Sequence, residues 1–133
     1  MRFFFFLSFF ALSFSSQAQD IYSIILEDEQ VVISYQTLEV KKKGLSIPEI
    51  RFSIENKSDS ALNVNFLINF EYEMEIVEVT AVEDVCIDAG KTKKGKIKGL
   101  FYQPETLTLE QLRSEDFDII LDDLILVRVV NCK

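Results

Sequence analysis

The stretch that decides the fold is IRFSIENKSDSALNVNFLINFEYE, which covers residues 50–73. Its two halves each alternate apolar with polar side chains, and Leu67 is the one exception. Successive side chains of a β-strand point to opposite faces, so a period of two indicates a strand with one buried and one solvated face. The predicted buried set is Ile50, Phe52, Ile54, Leu62, Val64, Phe66, Ile68, Phe70 and Tyr72.

A turn separates the two halves. Residues 56–60, Asn-Lys-Ser-Asp-Ser, are types whose side chains hydrogen-bond to nearby backbone and so favour turns. The stretch therefore predicts an antiparallel hairpin, with Phe66 and Phe70 buried and with Asn65 and Asn69 exposed. One hairpin is only marginally stable, so we expect the rest of the chain to supply a second layer over the apolar face.

The chain begins with the features of a secretory signal peptide. Arg2 precedes an apolar run over residues 3–14, and small residues, Ser16 and Ala18, stand three and one before a cleavage site. The apolar run is shorter than the roughly 20 residues of a membrane-spanning helix. We therefore expect cleavage after residue 18, a mature chain that starts at Gln19, and a secreted or periplasmic protein with no membrane span. The dense run of Phe is typical of a bacterial leader.

Length and charge narrow the class of protein. Residues 19–133 suit a single domain. The full chain has 14 basic and 22 acidic residues and a net charge of −8, which opposes binding to nucleic acid. It has no His, which excludes the usual catalytic triads and His metal sites. We predict no metal and no cofactor.

Two cysteines, Cys86 and Cys132, remain in an exported chain. In an oxidising compartment an even number of cysteines favours a disulfide, and without His a metal site or a reactive thiol is the weaker interpretation. We predict a bridge that clips the last strand to the strand before Gly90, with the two Cα atoms within about 7 Å of each other.

Other segments predict further short strands and one helical turn. The alternation over residues 31–40 slips by one, which predicts a β-bulge or a strand that passes between sheets. Residues 108–111 have the spacing of a capping box, which predicts a short helix over residues 109–114. Residues 122–123 predict a turn or a bulge. The nearly continuous apolar run over residues 124–130 predicts a central strand covered on both faces, or an edge between sandwich and helix.

Two segments resemble those of small exported bacterial proteins, largely uncharacterised, with an immunoglobulin-like sandwich. One is residues 52–59; in the other, residues 85–97, an apolar strand meets Gly90, Thr92 and Gly95 before the next strand. The resemblance implies a sandwich and carries over no functional residue. We predict an all-β fold, an immunoglobulin-like antiparallel β-sandwich of about seven strands in Greek-key order, with one short helix. The absence of Trp departs from antibody domains.

A group of lysines is the main candidate for a contact surface. Five of them fall close together in an acidic chain, with two aromatic residues beside them: Lys91, Lys93, Lys94, Lys96, Lys98, Phe101 and Tyr102. Lys94, Lys96 and Lys98 would share one face of a strand. Such a patch suits an anionic glycan or an acidic partner. Lysines also protect an exposed strand edge from pairing with other chains, which is the more frequent use.

Acidic residues are the candidates for chemistry, and they form two groups: Glu71, Glu73, Glu75, Glu78, Glu83 and Asp84, and then Asp118, Asp122 and Asp123. A pair of carboxylates hydrolyses glycosides in many enzymes, and a cluster binds calcium, but acids on a strand are usually a solvated face. We predict an exported non-enzymatic binding or structural module of the bacterial cell envelope, whose partner is an unknown protein or an envelope glycan. The alternatives are a small carboxylate-dependent hydrolase and an inhibitor of another secreted protein.

Overall fold

The computed structural model describes residues 21–133, so the predicted signal peptide lies outside the described residues. In chain order the elements are β1 (Ser23–Glu27), β2 (Val31–Lys42), β3 (Leu45–Asn56), β4 (Ala61–Tyr72), β5 (Glu75–Ile87), β6 (Thr92–Lys94), a 3₁₀ turn (Lys96–Lys98), β7 (Phe101–Tyr102), α1 (Leu109–Leu112) and β8 (Phe117–Val129).

The strands form two antiparallel sheets that pack face to face. Sheet I has the order β1-β2-β3-β6, with β7 also paired to β3, and sheet II has the order β5-β4-β8. The inward side chains of both sheets form one apolar core. This arrangement confirms the predicted all-β sandwich with one short helix. Its immunoglobulin-like, Greek-key form stays a prediction.

The core has the composition that the alternation predicts. Except for Tyr72, which is half-buried, the whole predicted set of β3 and β4 is at most 2% exposed: Ile50, Phe52, Ile54, Leu62, Val64, Phe66, Ile68 and Phe70. Full burial of such a side chain contributes about 1.5–3 kcal/mol, so these residues supply much of the stability. Asn65 and Asn69 point outward but are half-buried rather than exposed, because both hydrogen-bond to neighbouring strands.

The predicted hairpin of β3 with β4 is wrong. β3 pairs with β2, β6 and β7, whereas β4 pairs with β5 and β8. Residues 57–60 therefore carry the chain from sheet I to sheet II instead of joining two neighbours in one sheet. A hairpin and a crossing between sheets bury the same faces of the two strands, so the alternation does not distinguish them.

Asn56 holds this crossing together. Its side chain is fully buried, and its Nδ2 donates to the backbone carbonyls of Ser60 at 2.8 Å and of Ile87 at 2.9 Å. Its Oδ1 accepts from the backbone N–H and the hydroxyl of Ser58, at 3.0 and 2.7 Å. Because Ile87 belongs to β5, this one side chain at the end of β3 links sheet I to sheet II.

The predicted slip within β2 is also wrong. The register of β2 with β3 is unbroken along both strands, and the irregularity lies instead in β1, between Ile24 and Leu26. Sheet II carries bulges on both sides of β4 at one level, near Asp84 in β5 and, as predicted, near Asp123 in β8. The φ angles of these two residues are 53° and 51°. Asp tolerates this conformation because its short side chain hydrogen-bonds locally.

Of the two predicted positions for residues 124–130, the central strand is wrong and the edge is found, because β8 is an edge strand. It pairs with β4 alone among the described strands. Its outward residues Ile125 and Val127 are 55% and 48% exposed, so the second apolar face is open to solvent in the described chain. Burial of both faces of β8 within the fold therefore does not explain its continuous apolar run.

The short helix begins as predicted. The hydroxyl of Thr108 accepts the backbone N–H of Gln111 at 3.2 Å, and the Gln111 side chain accepts the backbone N–H of Thr108 at 2.9 Å. This reciprocal pair is the capping box, and it satisfies two N–H groups that a helix start leaves unpaired. Leu112 is buried and fixes the helix to the sandwich.

A disulfide joins Cys86 of β5 to Cys132, which follows β8, with the two Cα atoms 5.6 Å apart. The predicted bridge is thus confirmed. Since β4 lies between β5 and β8, the bridge ties the two edge strands of sheet II together across the end of the central strand. The backbone N–H of Cys132 also donates to Asp88 Oδ1 at 3.1 Å.

Candidate functional site

The candidate site lies on the outer face of sheet I. In β3 the residues that alternate with the core residues point toward the outer face, among them Glu49, Arg51 and Ser53. The register places Lys94 of β6 opposite Ser53, and Phe101 of β7 opposite Arg51. Paired residues share one face of a sheet, so Arg51, Lys94 and Phe101 project from the same side.

The 3₁₀ turn brings a further lysine to this face. Gly95 and Gly99 flank the turn with φ angles of 80° and 73°, which residues with a Cβ adopt only under strain. They fold the turn back, so that Lys96 Nζ lies 4.0 Å from Glu49 Oε1 and 5.4 Å from the centroid of the Phe101 ring. A cation above an exposed aromatic ring contributes about 0.5–1 kcal/mol.

One carboxylate lies beneath these cations. Glu49 is fully buried, and it accepts a hydrogen bond from Arg51 Nε at 2.7 Å and one from Gln103 Nε2 at 3.2 Å. An unpaired buried charge is costly by several kcal/mol, and Arg51 and Lys96 offset that cost. Glu49 in turn fixes the positions of both cations, so the face is preorganised.

Tyr22 extends the face toward β1. Its hydroxyl accepts a hydrogen bond from Gln36 Nε2 at 3.3 Å, and Lys94 Nζ lies 5.8 Å from the centroid of its ring. Each of the two lysines thus lies near an aromatic ring. We call this surface the basic face, and its residues are Tyr22, Arg51, Lys94, Lys96 and Phe101.

The structure brings together two of the five lysines of the predicted patch, Lys94 and Lys96. Lys93 precedes Lys94 in β6 and so points to the opposite side of the sheet. Lys91 and Lys98 are exposed at the two ends of the segment. The prediction that Lys94, Lys96 and Lys98 share one strand face is wrong, because the strand ends at Lys94.

Of the two predicted aromatic residues, Phe101 belongs to the basic face and Tyr102 to the core side. The ring of Tyr102 stacks on that of Phe70 with centroids 5.0 Å apart, and its hydroxyl donates to Glu78 at 2.8 Å. Burial, the hydrogen bond to Glu78 and the negative charge of Glu78 raise the pKa of Tyr102 to about 12.

Three members of this arrangement were not predicted from the sequence: Tyr22, Glu49 and Arg51. Glu49 and Arg51 stand two residues apart in the polar phase of the alternation in β3, a signal that places them on one face. Nothing in the sequence indicates Tyr22, because its position depends on the pairing of β1 with β2.

Among the predicted acids, Glu78 has a structural role. Its carboxylate accepts hydrogen bonds from the backbone N–H groups of Glu105, at 2.7 Å, and of Thr106 and Leu107, and from the Thr106 hydroxyl at 3.0 Å. Burial alone would raise the pKa of Glu78, but these hydrogen bonds and the one from Tyr102 outweigh it and lower the pKa. A general acid needs a raised pKa, so Glu78 fits an anchor better than an acid catalyst.

The other acids lie mainly at strand bulges and turns. Asp84 and Asp122 are bound by the side chains of Asn65 and Asn69, and Glu73 lies in the turn between β4 and β5 with a φ of 52°. Within residues 21–133, no group of three or more His, Cys, Asp or Glu side chains is placed to hold a metal ion.

Three open depressions on the described surface lie away from the basic face. One of 510 Å³ lies near the disulfide, beside Asp59 and Asp88. One of 300 Å³ lies at the loop after β7, beside Pro48 and Pro104, and one of 210 Å³ lies on the outside of sheet II. Small molecules bind mainly in concave pockets, whereas Arg51, Lys94 and Phe101 project from the face of a sheet, which suits an extended polymer or a protein surface.

The two sheets differ in charge. The strands of sheet II carry eight acidic residues and one basic residue, Arg128: the acids are Glu71, Glu75, Glu78, Glu83, Asp84, Asp118, Asp122 and Asp123. Sheet I with its 3₁₀ turn carries seven basic and four acidic residues. The basic face is thus a positively charged region on a protein whose net charge is negative.

No model of a known protein family matches the chain, and neither a curated protein nor a solved structure shows a significant match. In the described part of the chain, no helix has the length and apolar character that a membrane crossing requires. Fold and site together define an all-β, two-sheet sandwich with a basic outer face on one sheet.

Proposed function

We propose that this protein is an exported, non-enzymatic binding module of the bacterial cell envelope, secreted or periplasmic, whose basic face binds an anionic partner. The observation that carries the proposal is the gathering of three cations on one face: Arg51 and Lys96 lie over the buried Glu49, Lys96 also lies beside Phe101, and Lys94 lies beside Tyr22. The predicted leader supports export, and the disulfide is compatible with an oxidising compartment. The similarity to immunoglobulin-like exported proteins belongs to the same proposal.

The basic face is suited to a partner that makes several weak ionic contacts at once rather than one strong contact. Lys94 and Lys96 are exposed, and single exposed ion pairs contribute about 0–1 kcal/mol. A partner with repeated carboxylates engages both lysines and Arg51 at once. Such binding weakens as salt rises, because screening acts over about 8 Å at physiological ionic strength.

The proposal is tested by binding of the mature chain to polygalacturonate, a polymer of carboxylated sugars, with neutral dextran as the comparison. Lys94→Ser/Lys96→Ser should weaken binding about tenfold, which corresponds to about 1.4 kcal/mol. Lys41→Ser/Lys42→Ser is the matched control, because it removes the same charge from the far end of β2.

The control pair should bind nearly as well as the wild type. Lys94→Ser/Phe101→Ala keeps Arg51 and Lys96 on Glu49 and so tests the face without disturbing the buried carboxylate. Equal losses in the control and the two face variants, or equal binding to dextran, would contradict the proposal. A carboxylate-dependent hydrolase and an inhibitor of another secreted protein stay the alternatives.

A further inference from the structure

The outer face of sheet II exposes apolar side chains near its centre. Leu67 of β4 is 37% exposed, and Val79 of β5 and Ile125 of β8 are each 55% exposed. The register pairs Val79 with Asn69 and Ile125 with Asn65, both outward residues of β4, so the three apolar side chains share one face. Adjoining exposed apolar residues with a polar rim mark a contact surface for another protein.

Acidic side chains border these apolar residues, and asparagines of β4 hold them in place. Asn65 Oδ1 accepts a hydrogen bond from the backbone N–H of Asp84 at 2.9 Å, and Asn63 Nδ2 lies 3.4 Å from the Asp84 carboxylate. On the other side, Asn69 Nδ2 donates to Asp122. We call this surface the acidic–apolar face, and its residues are Leu67, Val79, Asp84, Asp122 and Ile125.

No basic side chain of β4, β5 or β8 neutralises this face. Arg128 is the one basic residue in these strands. Its side chain is exposed, but its register partner Leu62 is an inward residue of β4, so Arg128 lies on the other side of the sheet from Leu67. The strands of sheet II thus place no cation beside Asp84 and Asp122 on this face, and the basic face of the same chain carries the opposite charge.

We propose that the basic face of one copy docks on the acidic–apolar face of a second copy. The inference rests on the proposed function, because it names the anionic partner of the basic face. In the complex Phe101, which is 37% exposed, meets Leu67 and Ile125, while Lys94 and Lys96 meet the acids on the rim. Apolar contact at the centre with complementary charges at the rim is the usual anatomy of a protein interface.

Charge decides the geometry of this association. Two basic faces repel each other, and so do two acidic–apolar faces, so a symmetric contact between like faces is unfavourable. A contact between unlike faces is heterologous, and each added copy presents both faces again. Because the two faces lie on opposite sides of the sandwich, copies stack sheet I on sheet II in an open row.

Sedimentation equilibrium of the mature chain tests the inference. The wild type should associate as concentration rises, and added salt should reverse it. Lys94→Ser/Lys96→Ser alters the basic face, and Val79→Ser/Ile125→Ser alters the acidic–apolar face. Both variants introduce neutral serines, so that neither creates a new electrostatic attraction. Each alone should raise the dissociation constant about tenfold.

Mixing the two variants gives the decisive result. Each variant keeps the face that the other has lost, so an equimolar mixture should form dimers of one copy of each and no larger species. Leu45→Ser/Met74→Ser is the matched control, because it removes two apolar residues that are 69% and 93% exposed elsewhere. It should associate like the wild type.

Three results would overturn the inference: a wild type that stays monomeric, a mixture that stays monomeric, or a lysine variant that associates alone as well as the wild type. Leu67→Thr is a second test of the acidic–apolar face if the first variant unfolds. The polymer assay uses the Val79→Ser/Ile125→Ser variant, whose basic face is intact. If the protein binds the polymer but does not self-associate, this inference is contradicted and the proposed function stands. If it self-associates but does not bind the polymer, the glycan is excluded as the partner.

Discussion

One carboxylate, that of Glu78, holds the loop after β7 against the edge strand β5. It accepts three backbone N–H groups and two hydroxyls, and the closest donors are Glu105 at 2.7 Å and Tyr102 at 2.8 Å. β7 belongs to sheet I and β5 to sheet II, so this side chain links the sheets on that side of the sandwich. Asn56 does the same at the start of the crossing.

The stability of the protein should depend on pH through Glu78. Because hydrogen bonds outweigh burial and lower the pKa of Glu78 below its ordinary value of 4.5, its contribution to stability is complete above that pH. The contribution is lost as the pH falls through the folded pKa. Glu78→Gln should reduce the free energy of unfolding by about 1 kcal/mol at neutral pH, since solvent screens a partly exposed carboxylate.

Urea unfolding at neutral and acidic pH checks this prediction. The difference between wild type and Glu78→Gln should shrink in acid, where the wild-type carboxylate is protonated as well. Glu75→Gln is the matched control, because Glu75 is an exposed residue of the same strand. A difference that stays constant between the two pH values would show that the ionised form of Glu78 contributes nothing.

At the scale of elements, the alternation predicts which face of a strand is buried and does not predict its neighbour. Phe52 and Phe66 are buried in the sandwich and would be buried in a hairpin as well, so the sequence determined the core but not the crossing. The same limit applies to β8, where Ile125 and Val127 are exposed. A strand with apolar residues on both faces is either covered on both faces within the fold or exposes one apolar face at the surface. The sequence has the same periodicity in the two cases, so it does not distinguish them.

The candidate site was predictable only in part for a related reason. Lys94 and Lys96 are conspicuous in the sequence, but their neighbours depend on which strand β6 pairs with. β6 pairs with β3, and this pairing places Lys94 next to Ser53 and near Arg51. Long-range pairing of this kind is set by total packing of the core, which a local pattern does not contain.

The crossing between the sheets gives the second prediction. Asn56→Ala removes four hydrogen bonds and leaves the carbonyl of Ile87 without its side-chain donor in the interior. A buried polar group that loses its partner costs about 1–3 kcal/mol, so the free energy of unfolding should fall by about 3 kcal/mol. Chemical denaturation measures this change.

Two variants sharpen that experiment. Asn56→Asp keeps the acceptor for Ser58 but loses the donor to Ile87, so it should be as harmful as Asn56→Ala. Asn63→Ala is the control, because its side chain is half-buried and makes one hydrogen bond of 3.4 Å, and it should cost about 0.5 kcal/mol or less. Equal losses for Asn56→Ala and Asn63→Ala would show that the crossing does not depend on Asn56.

In the folded protein, basic and acidic residues are distributed unequally between the two sheets. The net charge of −8 conceals a basic sheet I and an acidic sheet II. This separation follows from topology, because β8 is distant in the chain from β4 and β5, and its acids join theirs only in the folded sheet. A uniformly acidic chain would repel copies of itself, whereas a chain with two opposite faces attracts them in one orientation.

The disulfide acts at the same scale, because it closes sheet II at its open end. Cys86 and Cys132 are 46 residues apart in sequence, and the loop between them contains β6, the 3₁₀ turn, β7, α1 and β8. Every residue of the basic face after Arg51 therefore lies inside the closed loop. In the chain-entropy model, closing a loop of this length stabilises the fold by about 4 kcal/mol.

The last prediction is that Cys86→Ser/Cys132→Ser lowers the melting temperature by about 15 °C, taking about 4 °C per kcal/mol for a domain of this size. The double variant should keep its sheet, because the core of β3 and β4 does not depend on the bridge. Circular dichroism measures both quantities, and the reduced wild type should melt at the same temperature as the variant. Titration of the denatured, unreduced wild type should find no free thiol. Two thiols per chain, or a melting temperature that reduction does not change, would refute the bridge as a source of stability.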